Sequence, residues 1–144
     1  MSPSDPAGAQ AIVSLKLKRF LEELVEILEQ DFPEQTKEII AAAQGINCLQ
    51  FLDKEKAGIQ VLPDKLSIVS TIRADEINIK VVLSRKCLSK LLDGESTMEE
   101  AFNAREMEVF GEPATILRCY RVWEKVLALS RVSPRFEFLL SDLW

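Results

Sequence analysis

Apolar side chains recur every three or four residues in the first third of the chain, at Val13, Leu17, Phe20, Leu21, Leu24, Ile27 and Leu28. That is the spacing of one helix face, and it predicts a long helix from about Gln10 to Gln30. Pro33 breaks it, and Glu34–Gln44, with Ile39 and Ile40, forms a second helix stopped by Gly45. From Ile46 the period shortens. Ile46–Leu52, Gly58–Leu62, Lys65–Ile72 and Ile77–Ser84 are apolar, β-rich runs, separated by polar breaks at Asp53–Lys56, Pro63-Asp64 and Ala74–Glu76. They read as an antiparallel meander.

The stretch from Ile77 to Leu129 carries the most information. After the strand Ile77–Ser84, Ser84 can cap a short helix with Leu88, Leu91 and Leu92 on one face, which stops at Asp93-Gly94. Ser96-Thr97-Met98-Glu99 has the form of a capping box, Ser96 serving the orphan N–H groups while Glu99 reaches back. The helix it opens runs through Ala101-Phe102. Glu106–Phe110 alternates acids with Met107 and Val109, as a half-buried fifth strand does, and ends at Gly111. Glu112-Pro113 opens a long helix whose apolar face holds Ile116, Cys119, Tyr120, Trp123, Val126 and Leu127. A last apolar segment, Arg135–Trp144, follows Ser133-Pro134.

The pattern predicts an α+β fold: a five-stranded, mostly antiparallel sheet with helices covering one face. Residues 1–9, rich in Pro, Ser and Gly, read as a disordered segment, and 10–144 as one domain. A chain of 144 residues buries about 70% of its unfolded surface, enough for one core and one cavity.

Composition narrows the chemistry. The net charge of −5 supplies no field for nucleic acid. The chain holds no histidine, which removes the commonest general base and the commonest metal ligand together. Cys48, Cys87 and Cys119 are odd in number and widely spaced, so they suggest reduced, buried thiols of a cytoplasmic protein rather than disulfides or a zinc site. The N-terminus lacks the basic lead and apolar core of a signal peptide, and no apolar run approaches a membrane span. Neither a metal nor a cofactor is expected.

The order strand, helix, glycine, helix, strand, glycine, long helix resembles the sterol carrier protein type 2 family. The residues that carry the likeness are Leu88, Leu91, Leu92 and Gly94, then Ala101-Phe102, then Met107–Phe110 with Gly111, and the helix from Ala114. It spans Ile46 to Leu129. The resemblance implies an SCP2-domain fold in which the C-terminal helix covers an apolar tunnel. Members bind sterols, fatty acids, acyl thioesters or phospholipids without catalytic apparatus of their own. The expected role is binding or transfer of a lipid, fatty acyl chain, sterol or isoprenoid. Its walls would be Leu91, Leu92, Phe102, Val109, Leu117, Tyr120, Trp123 and Leu127, with Tyr120 and Cys119 as polar handles for a head group.

Other readings stand beside that one. The same side chains can fill a core at ordinary density, leaving an interaction module that works through a homodimer or a partner protein. Lys16, Lys18 and Arg19 precede Glu22, Glu26 and Glu29 on the first helix, so two antiparallel copies would match charges; Lys18–Glu22 and Arg19–Glu23 pairs within one helix account for them equally. Arg118, Arg121 and Lys125 form either a solvated face or an anion contact. Phe136, Phe138, Leu139, Leu140, Leu143 and Trp144 pack on the domain, close the tunnel or associate. Catalysis has little to stand on: Cys87 beside Lys86 and Lys90 is the one thiol placed for activation.

Overall fold

The chain runs α1 (Pro6–Asp31), α2 (Pro33–Ala42), β1 (Asn47–Leu52), β2 (Glu55–Val61), β3 (Leu66–Val69), β4 (Ile79–Leu83), α3 (Arg85–Asp93), α4 (Met98–Asn103), β5 (Met107–Gly111) and α5 (Pro113–Val132). The structure, a computed structural model, describes residues 6–136 and 139, with side chains from Lys16 onward. Residues 6–9, expected to be disordered, are instead the opening of α1; the rest of that expectation, residues 1–5, lies outside the described residues.

The five strands form one sheet in the order β3-β2-β1-β4-β5. Every pairing is antiparallel except β1 with β4, which is parallel, Cys48 facing Ile79 and Leu52 facing Leu83. The meander therefore ends at β3, and β4 crosses back to pair with β1 on the side away from β2. Ile79, Val81 and Leu83 of β4 are all buried, whereas every β3 residue is only half-buried. A strand with that apolar load is better placed between two neighbours than at the sheet's edge, where β3 lies. Two asparagines lock the parallel start. The Asn47 N–H donates to Asn78 Oδ1 (2.8 Å), Asn78 Nδ2 donates to the Gly45 carbonyl (2.6 Å), and Asn47 Nδ2 donates to the Glu76 carbonyl (3.0 Å). Gly58 matters here too: a Cβ on it would stand 2.5 Å from Ile72 Cγ1, so glycine lets the buried Ile72 pack against β2.

The helices cover one face. Strand alternation turns Cys48, Gln50 and Leu52 to the same side as Val81 and Val109, where α1 brings Leu17, Leu21, Leu24 and Leu28 and α5 brings Cys119, Val126 and Leu127. Ser84 caps α3 by accepting the Cys87 N–H at 3.1 Å, and Gly94 ends it in the left-handed region at φ 79°. The second cap falls one residue later than expected. Thr97, not Ser96, accepts the Glu100 N–H (3.1 Å), and Glu100 rather than Glu99 answers it, at 3.2 Å from the hydroxyl. Glu99 is left free for the site described below.

Glu55 also departs from expectation. The polar run Asp53–Lys56 predicts a break between strands, yet β2 begins at Glu55, whose side chain is fully buried. Its carboxylate accepts the Leu17 N–H of α1 (3.1 Å) and pairs with the Arg85 guanidinium. A buried charge needs such partners, and both come from distant segments. Past α5 the chain makes a further helical turn at 134–136, and Phe136 and Leu139 sink into the core. Phe138, Leu140, Leu143 and Trp144 lie outside the described side chains.

Candidate ligand-binding site

Between the sheet and α5 lies an apolar cavity of about 550 Å³. Its floor is Gln50 of β1, Ile79, Val81 and Leu83 of β4, and Met107 and Val109 of β5. Its roof is the face of α5 from Pro113 to Leu127, and Leu88, Leu91, Met98, Glu99 and Phe102 of α3 and α4 close the side. Phe102 and Leu117 line the cavity yet are about half exposed, 51% and 49%, so they mark where it opens to solvent. Two large apolar side chains held at an open rim expend hydrophobic free energy that a filled core would recover.

Of the side chains expected to form the wall, Leu91, Phe102, Val109, Leu117, Tyr120, Trp123 and Leu127 all line this space, brought together from α3, α4, β5 and α5. Leu92 does not: it is buried, but it is not part of the wall. Adjacent residues on a helix point about 100° apart, so Leu91 and Leu92 cannot both face the same void squarely. A second, smaller cavity of about 60 Å³ lies under α1 and α2, and Cys119 and Trp123 line both. These two side chains form the partition between them.

The polar atoms around the cavity are few and differ in availability. The neighbouring Cys48 thiol lowers the Cys119 pKa, burial opposes it, and the Trp123 side chain adds to the lowering. Cys48 is correspondingly held as the thiol, well above the ordinary value. Tyr120 is half-buried, and its hydroxyl is raised by burial first, then by the Glu124 and Glu99 carboxylates, so it stays a neutral phenol. Glu99 is exposed at the rim and is the one charged residue of the lining; no Lys or Arg lines the cavity among the described residues.

Gln50 is the polar residue that the sequence reading passed over. It is 4% exposed in the floor, and no donor among the described residues reaches its Oε1. The signal was present as a glutamine in the inward register of an apolar strand, flanked two residues away by Cys48 and Leu52.

Two of the alternatives lose their footing. Arg118 is not a free cation for an anionic head group, since its guanidinium donates to the carbonyls of Ala42 (3.0 Å) and Gln44 (2.6 Å) at the end of α2. Cys87 is not activated by its lysines. It is buried, and burial, followed by repulsion from Glu106, raises its pKa against a smaller opposing effect of Lys90. Among the described residues, no cluster of three or more His, Cys, Asp or Glu side chains is arranged to hold a metal ion, and no helix is long and apolar enough to cross a membrane.

A five-stranded sheet with a parallel central pair, two short helices before the last strand, and a long helix roofing an apolar cavity define the α+β fold of this chain. No family model matches the chain, and no curated protein matches it. Solved structures do, and they agree on the fold, which is that of sterol carrier protein 2 domains. The UbiJ-SCP2 ubiquinone synthesis protein matches at TM-score 0.54 and 14% identity, over 93% of this chain and 99% of that one. The sterol carrier protein domain 2 of Helicoverpa armigera matches at TM-score 0.55 and 14% identity, over 78% and 89%. Sterol carrier protein 2 of Yarrowia lipolytica, in its apo form, matches at 0.53 and 13%, over 81% and 91%.

Proposed function

We propose that this protein binds and transfers a hydrophobic small molecule, such as a lipid, fatty acyl chain, sterol or isoprenoid, in the cavity between its sheet and α5, and performs no chemistry on it. The observation that carries this reading is the volume of about 550 Å³ with an almost wholly apolar wall and an open rim. Small-molecule sites commonly span about 300–1,000 Å³ and combine apolar walls with a few polar groups. Leu91, Phe102, Val109, Leu117, Tyr120, Trp123 and Leu127 form the contact surface in this account. The driving force is desolvation: each buried CH₂ stabilises the complex by about 0.8 kcal/mol.

The likeness to the sterol carrier proteins of Helicoverpa armigera and Yarrowia lipolytica supports the same assignment. Three free, buried cysteines fit work in the reducing cytoplasm. A lipid is the partner in this reading, and neither nucleic acid nor integral membrane association enters it.

Native mass spectrometry of protein taken from its own cells without delipidation tests the proposal. The expected result is a reproducible added mass of a few hundred daltons that fragments as a lipid. A chain that is always bare, and that takes up no fatty acid, sterol or isoprenoid offered in vitro, would sink it.

A further inference from the structure

We infer that Gln50 is the inner polar anchor of the cavity, and that the ligand it selects is a neutral amphiphile carrying a hydroxyl at its buried end. The inference rests on the carrier reading above and specifies the ligand chemistry of that same site.

Three observations carry it. Gln50 is 96% buried by its 4% exposure, it stands in the cavity floor, and its Oε1 has no donor among the described residues. A buried acceptor without a partner costs free energy, and native structures seldom leave one so. Secondly, β1 lies two strands in from β5, about 10 Å at ordinary strand spacing, so a group meeting Gln50 has passed beneath the α5 roof. Thirdly, no Lys or Arg lines the cavity among the described residues, the chain has no histidine, and the one charged lining residue is Glu99 at the rim.

These observations distinguish between head groups. A carboxylate or phosphate at the inner end would be desolvated without a counter-charge, at a cost that apolar contacts do not recover. A hydroxyl carries no charge, donates to Oε1, and keeps lone pairs to accept from Nε2. Oε1 has almost no accessible surface where it stands, and rotation of the amide about its terminal torsion, which is broad and roughly two-fold, turns it toward the ligand. The other polar candidates serve less well. Cys119 carries a thiol, a weak donor and acceptor, and Tyr120 has two carboxylates, Glu124 and Glu99, near its hydroxyl. Ligand therefore enters polar end first and leaves its chain toward Phe102 and Leu117.

Isothermal titration calorimetry on delipidated protein with dodecanol, methyl dodecyl ether and dodecanoate at neutral pH tests this. The three share a chain and differ in whether the head donates, only accepts, or is charged. Wild type is expected to bind dodecanol about tenfold tighter than the ether, the worth of one neutral hydrogen bond, and to bind dodecanoate weakest. Gln50→Met removes the amide at similar length and is expected to bring alcohol and ether within about twofold of each other. Equal affinity of wild type for alcohol and ether overturns the anchor, as does a preference that survives in Gln50→Met. Should Gln50→Met fail to fold, Gln50→Leu repeats the comparison, and the wild-type series decides by itself. Tight binding of all three without discrimination defeats the anchor and leaves the carrier reading standing. Binding of none defeats both.

Discussion

Replacing Val81 with Phe separates a real void from a filled core by the sign of its effect. Val81 is buried at the centre of the cavity floor, between Gln50 on β1 and Val109 on β5. Phenylalanine adds four carbons there and suits a strand as well as valine does. If those carbons enter free space, each contributes at most about 0.8 kcal/mol, a ceiling near 3 kcal/mol. Loss of rotamer freedom takes back up to about 1 kcal/mol, so the apo protein should gain about 1–2 kcal/mol. A cavity of about 550 Å³ has room for the ring without moving the backbone. In a core already packed to density the same change costs about 1–3 kcal/mol. Urea unfolding of delipidated protein, with circular dichroism confirming a native-like fold, reads the difference directly. Lipid affinity should fall at the same time, because the ring occupies ligand space. A folded Val81→Phe that is less stable by about 1 kcal/mol or more, with binding unchanged, would show that the cavity is not the ligand site.

Further outcomes follow from other contacts. Arg85→Met strands the Glu55 carboxylate in the core and should cost about 3 kcal/mol, the low end for a broken buried pair because Arg85 is 27% exposed; Glu55→Leu added to it should recover most of the loss, and a double variant as unstable as the single would contradict this. Thr97→Ala should cost about 1 kcal/mol and Ser96→Ala less than half of that, which urea midpoints will rank; the reverse order would restore the cap to Ser96. Cys87 has a folded-state pKa above its ordinary 9.0, so the folded protein keeps a proton that the unfolded chain releases. Its contribution is complete below pH 9.0 and lost as pH climbs past that value. Unfolding curves at increasing alkaline pH should fall less steeply for Cys87→Ala; an unchanged slope would count against the assignment.

Much of the architecture was legible because it is local. The three- and four-residue spacing of Leu17, Leu21, Leu24 and Leu28, the cap at Ser84, the stop at Gly94 and the proline at the head of α5 each act within a turn or two of chain. The cavity wall was legible for the same reason. Leu117, Tyr120, Trp123 and Leu127 recur at helical spacing, and Val109 alternates in a strand, so each element's inward face could be read before its partners were known. Leu92 is as apolar as Leu91, and only the rotation of α3 against the sheet separates the two.

What remained hidden depends on residues far apart in sequence. The parallel pairing of β1 with β4 turns on Asn47 meeting Asn78 across 31 positions, and Glu55 looks like a turn residue until Arg85 and Leu17 arrive 30 and 38 positions away. For Gln50 a single sequence shows the inward register but not whether the space above it is filled. Periodicity determines which side chain faces inward, through the fixed geometry of helix and strand. Whether inward-facing side chains close upon one another or leave room for a ligand is decided only when the elements pack, since that volume belongs to the distance between α5 and the sheet and to no residue alone.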